Sequence, residues 1–213
     1  MRLRFRFAST FVALATTLLI AAPVAAASSW TVFVESGTRA YAGNGECTEL
    51  LDGSVSCESQ FVDVFRGTIK ATGQPTFRWQ RVCYHESVEL FAANGSFIGS
   101  RGRVGCTLDA GTLTIKKLAS ITVAPTIVEL RDIECDALEC TDSAGGTVTV
   151  SGTWIGTGPI VRQSGKFQFG DGTCRQLHAD HSRSRQAEFE GSIEAAGAGV
   201  GDGSMTFRTN CEF

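Results

Sequence analysis

His178-Ala-Asp180-His181 is the densest group of metal-ligating side chains in the sequence, with Asp171 nearby. Imidazoles and a carboxylate are what a zinc ion takes, and a catalytic zinc keeps one position open for water. The spacing suits a helix, where residues three apart share a side. The surrounding residues read as strand and loop instead, and in a strand positions i and i+3 face opposite ways. A metal at His178 and His181 therefore requires a turn here and further ligands from elsewhere. Without them the segment is a solvated polar loop running into Ser182-Arg-Ser-Arg185.

Two other places carry nucleophile or acid–base residue types. Cys83-Tyr84-His85-Glu86 sets a thiol, an imidazole and a carboxylate side by side. Neighbours in a strand alternate faces, so His85 and Glu86 are not expected to meet. Asp142-Ser143-Ala144-Gly145-Gly146 resembles the nucleophile loop of chymotrypsin-like serine proteases. That resemblance implies a secreted, disulfide-bonded double barrel, and His85, Asp109 and Ser143 follow the family's order of triad residues. It covers five residues. Thr141 stands where the family has the glycine that helps shape its oxyanion hole, and Cys83-Tyr84 and Glu86 flank His85 in place of small residues. A triad is defined by geometry, and the same five residues also read as a polar turn before a strand from Thr147.

The sequence has no Gly-x-Ser-x-Gly elbow, phosphate-binding loop, His-Glu-x-x-His pair or dinucleotide fingerprint. No cofactor and no convincing catalytic set are therefore expected. The leading expectation is a non-enzymatic binding or structural module whose partner is an extracellular glycan or protein. The alternative is a secreted hydrolase with a serine-protease-like or metal-dependent site. Trp30, Trp79 and Trp154, with Tyr41 and Tyr84, are candidates for a sugar- or peptide-binding face. Core packing is the usual role of large aromatics and is expected of Trp79 and Trp154, whereas Trp30 is expected to be exposed.

Export is read from the first 27 residues. Arg2, Arg4 and Arg6 form a basic start, Phe11 to Ala22 is apolar, and Val24-Ala-Ala-Ala27 supplies small residues for cleavage. The apolar part is too short to span a bilayer, so 1–27 reads as a signal peptide and 28–213 as the secreted region. Its removal takes away three arginines and no acid, so the mature chain is more acidic than the −3 of the full sequence. That opposes nucleic acid or an anionic membrane as partner. No later stretch is long and apolar enough for a transmembrane helix.

The elements that must position these residues are strands. Phe77-Arg-Trp79-Gln-Arg81, Val148-Thr-Val150, Phe167-Gln-Phe169, Ala187-Glu-Phe189-Glu-Gly191 and Met205-Thr-Phe207 alternate with period two. Turn signals recur at Asp52-Gly53, Asn94-Gly95, Asp109-Ala-Gly111, Gly145-Gly146 and Asp171-Gly172. The pattern predicts an all-β sandwich or barrel of roughly 10–14 short antiparallel strands. Leu118–Leu130 is apolar enough for a short helix, but Ile121, Thr122, Val123 and Pro125 favour strand, break at Pro125, and strand. The small residues of 195–203 read as a loop. Gly67-Thr-x-x-x-Thr-Gly73 and Gly152-Thr-x-x-x-Thr-Gly158 suggest two related halves, about 41–110 and 128–213.

Eight cysteines, at 47, 57, 83, 106, 135, 140, 174 and 211, imply four disulfides in an oxidising compartment. A three-residue loop at Leu51-Asp52-Gly53 sets Cys47 opposite Cys57, with Gly53 in the left-handed position such a loop needs. A two-residue turn at Asn94-Gly95 sets Cys83 opposite Cys106. It puts them at a hydrogen-bonded pair, the less easy site for a bridge, unless a bulge at Gly99, Gly102 or Gly105 shifts the register. Cys135 with Cys140, and Cys174 with Cys211, complete the expected set.

Overall fold

The computed structural model describes residues 31–108, 113–170 and 174–211. The proposed signal peptide, Trp30, and the turn signals and candidates at Asp109, Gly111, Asp171 and Gly172 lie outside the described residues. Ten antiparallel strands make up the fold, with no helix among the described residues: β1 (Thr31–Glu49), β2 (Val55–Ala71), β3 (Phe77–Phe91), β4 (Phe97–Thr107), β5 (Leu113–Lys116), β6 (Ser120–Asp136), β7 (Cys140–Gly156), β8 (Val161–Gly170), β9 (Cys174–Gly191) and β10 (Gly197–Cys211). Most are longer than the turn spacing suggests.

The pairing order is β10-β1-β2-β3-β4-β6-β7-β9, and β10 also pairs with β9. The sheet thus closes on itself as an eight-stranded barrel. β5 and β8 lie outside the ring. β5 extends the edge of β6 beside β4, and β8 extends the edge of β9 beside β7. Both stretches expected to be related halves contribute strands to this one ring, and the two Gly-Thr motifs begin on β2 and β7.

Side chains directly opposite in an antiparallel pair share a face. Ala40, Val64, Val82 and Val200 form one such row, and Ala42, Val62 and Tyr84 the next; all are buried. With Val128, Leu130, Val150, Ile121 and Trp154 they fill the middle of the lumen. Eight strands enclose a space just wide enough for such side chains to fill it. Trp154 is fully buried, its ring 4.7 Å from that of Phe189. The barrel therefore has an apolar waist and two ends.

The bridges Cys47–Cys57, Cys83–Cys106 and Cys135–Cys140 each join residues directly opposite on paired strands. Cys174 stands opposite Cys211 in the β9–β10 register. Such bridges are compatible with an extracellular protein.

The β1–β2 hairpin has the expected three-residue loop: the Leu50 N–H donates to the Ser54 carbonyl at 2.8 Å, and Gly53 has φ +82°. The β3–β4 hairpin has the same loop rather than a two-residue turn. Ala92 N–H donates to the Ser96 carbonyl at 2.8 Å, and the Asn94 side chain accepts from Ser96 N–H as Asp52 does from Ser54. The register then slips by one between Phe91 opposite Phe97 and Leu90 opposite Gly99. This bulge returns Cys83 opposite Cys106. Their Cα atoms are 4.1 Å apart, close to the spacing of non-hydrogen-bonded pairs.

Three other expectations need correction. Gly145-Gly146 is not a turn but lies within β7, at a bulge opposite Glu129–Arg131, with Gly146 at φ +81°. The break at Pro125 is also a bulge, within the continuous β6. Residues 197–203 are not loop but strand, paired throughout to β1 and, from Gly199 on, also to β9. A small-residue strand is favoured there because Tyr41 lies flat over Gly199, where a Cβ would sit 2.7 Å from its ring.

Candidate functional site: the polar mouth of the barrel

Beyond the waist, towards the ends of β8 and β9, the inward-facing rows turn polar. One row runs Gln80, Arg66, Thr38, Asp202, Arg183, Arg162 across β3, β2, β1, β10, β9 and β8. The next runs Arg78, Thr68, Ser36, Ser204, His181, Ser164. A cavity of about 510 Å³ opens here, lined by Ser36, Thr38, Arg66, Thr68, His181, Arg183, Asp202 and Ser204. That volume is in the range of small-ligand sites, roughly 300–1,000 Å³.

Hydrogen bonds fix several of these groups. Arg183 forks onto Asp202, with Nε donating to Oδ1 at 2.8 Å and a terminal nitrogen to Oδ2 at 2.5 Å. Asp202 in turn strengthens the hold of the Arg183 guanidinium on its proton. Arg66 donates to the Leu113 carbonyl and, at 3.3 Å, to Gln80 Oε1. The Ser36 and Thr68 hydroxyls are paired at 2.8 Å.

The opposite end of the lumen carries a second polar network. Gln60 Nε2 donates to the Tyr84 hydroxyl at 2.7 Å, Tyr84 donates to Glu86, and Glu86 accepts from Arg103 Nε at 2.5 Å. The Arg103 hydrogen bond holds the Glu86 carboxyl below its ordinary range, and burial pushes the Tyr84 phenol up. Glu86 is thus a firmly ionised carboxylate and a poor proton donor near neutral pH.

The strand geometry separates the candidate catalytic residues. His178 and His181 lie on one continuous strand, three residues apart, and face opposite sides of the sheet. His181 lines the mouth. His178 stands on the outer wall in the row Phe33, Phe207, His178, Phe167, stacked on Phe207 with ring centroids 4.6 Å apart. Among the described residues no three His, Cys, Asp or Glu side chains are grouped to hold a metal. His85 faces outward with its ring 4.8 Å from that of Phe61, and burial lowers its pKa. Ser143 shares its face with Asp132, Arg103 and Glu86, the inward one. It lies on β7, three strand spacings from β3, or about 14 Å. His85 and Ser143 are therefore apart in distance and on opposite faces. Cys83 is in a disulfide.

The aromatic candidates divide. Trp154 and Tyr84 are core, while Tyr41 is exposed. Trp79 is not core: it packs on the outer wall at 4.5 Å from Phe65, with the Arg81 guanidinium over both rings. Phe65 takes the same outer face by covering Gly37 and Gly67.

No family model matches the chain, and no curated protein matches it. Among solved structures, an acetoacetate decarboxylase-like enzyme from Sphingomonas wittichii RW1 aligns with 87% of this chain and 92% of its own length, at 12% identity and a TM-score of 0.22. A likeness this slight carries no argument about the fold or the mouth.

Proposed function

We propose that the protein is a secreted, non-enzymatic binding module that takes its ligand at the polar mouth of the barrel. The observation that carries this reading is the open cavity of about 510 Å³ lined by fixed hydroxyls, guanidinium groups and Asp202. A rigid ring presenting preorganised polar groups around a concave opening binds with little ordering cost. The leader-like first 27 residues and the disulfides support secretion. The separation of His85 from Ser143, and of His178 from His181, favours binding over hydrolysis.

The test is a screen of small glycans, sugar derivatives and short peptides by calorimetry, with turnover followed in parallel. The expected result is a retained, unaltered ligand that is lost when Thr38→Trp fills the mouth. Hydrolysis abolished by Ser143→Ala or His85→Ala would overturn the reading, as would a ligand indifferent to Thr38→Trp.

A further inference from the structure

We propose that the mouth selects a saccharide-sized oxyanion, a sugar bearing carboxylate or phosphate; this rests on the mouth being a ligand site. Three adjacent inward-facing rows hold Arg66, Lys70, Arg78, Arg162, Lys166 and Arg183, and among their described residues the one acid is Asp202. That acid is already chelated by Arg183. The excess of cations is local, because the chain as a whole is net negative.

A solvated outer wall is the ordinary place for such residues, and here the arrangement is reversed. The outward positions of the same strands hold Phe33, Phe77, Phe167, Phe169 and Phe207, while the cations face the concave side. Like charges brought together in a concavity repel one another, and a bound anion relieves that repulsion. A cleft lined by one sign of charge also concentrates its counter-ion.

Guanidinium forks match the two oxygens of a carboxylate or phosphate. Arg66 is tethered through Leu113 and Gln80, which holds its group in place. The hydroxyls of Ser36, Thr38, Thr68 and Ser204 stand between the cations and suit a hydroxylated ligand. The cavity limits its size to about one or two sugar rings. A long polyanion is disfavoured because beyond the mouth it meets a net-acidic chain.

The experiment is calorimetric titration of the full secreted chain with digalacturonate, glucose 6-phosphate and the neutral dimethyl ester of digalacturonate. At least one anion is expected to bind, with the ester at least about tenfold weaker. Raising NaCl from about 50 to about 500 mM should weaken the anion about tenfold, since exposed charges are screened over a few ångströms at high salt. Arg162→Gln/Lys166→Gln should cost about tenfold with no loss of thermal stability, because β8 lies outside the closed ring. Asp202→Asn should tighten binding about threefold, whereas a merely structural Asp202 would weaken it. Binding by one anion alone identifies the group recognised. Equal affinity for the ester, or no salt dependence, would overturn the anion selectivity and leave the binding module standing. If none of the three binds, this proposal falls, and the module reading is then decided by the wider screen.

Discussion

At one end of the lumen Arg66, Arg78, Arg162 and Arg183 face inward around the carboxylate of Asp202; at the other, Glu46, Glu58, Glu86, Asp132 and Glu134 face inward around Arg101 and Arg103. Both ends extend the same alternation that puts Ala40, Val64 and Val82 in the waist. The difference teaches that a strand's two faces are not core and solvent along its whole length. Where the ring is packed, the inward face is apolar. Where it opens, the inward face is wet and charged, and the outer wall can carry aromatics. Phe167 and Phe169 are 55% and 61% exposed for this reason.

The comparison is broken most severely at the waist that separates the two ends. Trp154→Ala should destabilise the protein by about 3–5 kcal/mol in denaturant unfolding, more than any charge substitution at either end. A cost below about 1 kcal/mol would mean that the lumen is not closed there. Next come the bridges. Replacing Cys83 and Cys106 by serine opens a link across 23 residues beside the waist, and Cys135 with Cys140 a link across 5 at the acidic end. Loop entropy predicts about 3 kcal/mol for the first and about 2 for the second, and thermal melts of the two variants check the order.

Glycine positions sharpen the contrast between inner and outer faces. A Cβ at inward-facing Gly105 would lie 2.0 Å from the Glu129 backbone carbonyl oxygen, whereas at outward Gly199 it meets the movable Tyr41 ring at 2.7 Å. Gly105→Ala should cost about 2 kcal/mol and Gly199→Ala about 1 or less, measured by chemical unfolding. The smallest effect is electrostatic. The folded pKa of Glu86 lies below its unfolded value, so it stabilises the protein above the ordinary carboxylate range and that contribution fades as pH falls through the folded value. His85, lowered by burial, has the same sign, its contribution fading below the ordinary histidine range. Glu86→Gln should flatten the acid limb of a melting-temperature profile, and Arg78→Gln at the basic mouth should leave it unchanged. Equal slopes in wild type and Glu86→Gln would remove Glu86 from the acid response.

Much of this was legible locally. Cys47 opposite Cys57 follows from one loop and its left-handed Gly53. Cys83 stands opposite Cys106 with a two-residue turn or with the loop present, because the three-residue loop and the bulge each move the register by one and cancel. Alternation identified which residues share a face but not which face is inside. Trp79 is therefore expected in the core and lies on the outer wall, the face that also carries Phe167 and Phe207. Closure was out of reach, since it depends on β10 pairing with both β1 and β9, and its Gly197–Gly203 portion has too few side chains to show a pattern. The mouth is hidden in the sequence for the same reason. Arg66-Gly-Thr68-Ile-Lys70 and Arg78-Trp-Gln80 alternate cleanly, but the polar set reads as a solvent face until the ring is closed. The visible clue was cations recurring at alternate positions in several strands of an acidic chain.

The three bridges between described side chains share a property of order: each joins a cysteine to the next one along the chain. A polypeptide threaded N-terminus first into an oxidising compartment presents these thiols in their correct partnerships. Each pair can close as soon as its second member arrives, before a wrong partner has emerged to compete. Such a chain needs little disulfide shuffling to mature, and it should regain its native bridges from the reduced state with little help from an isomerase.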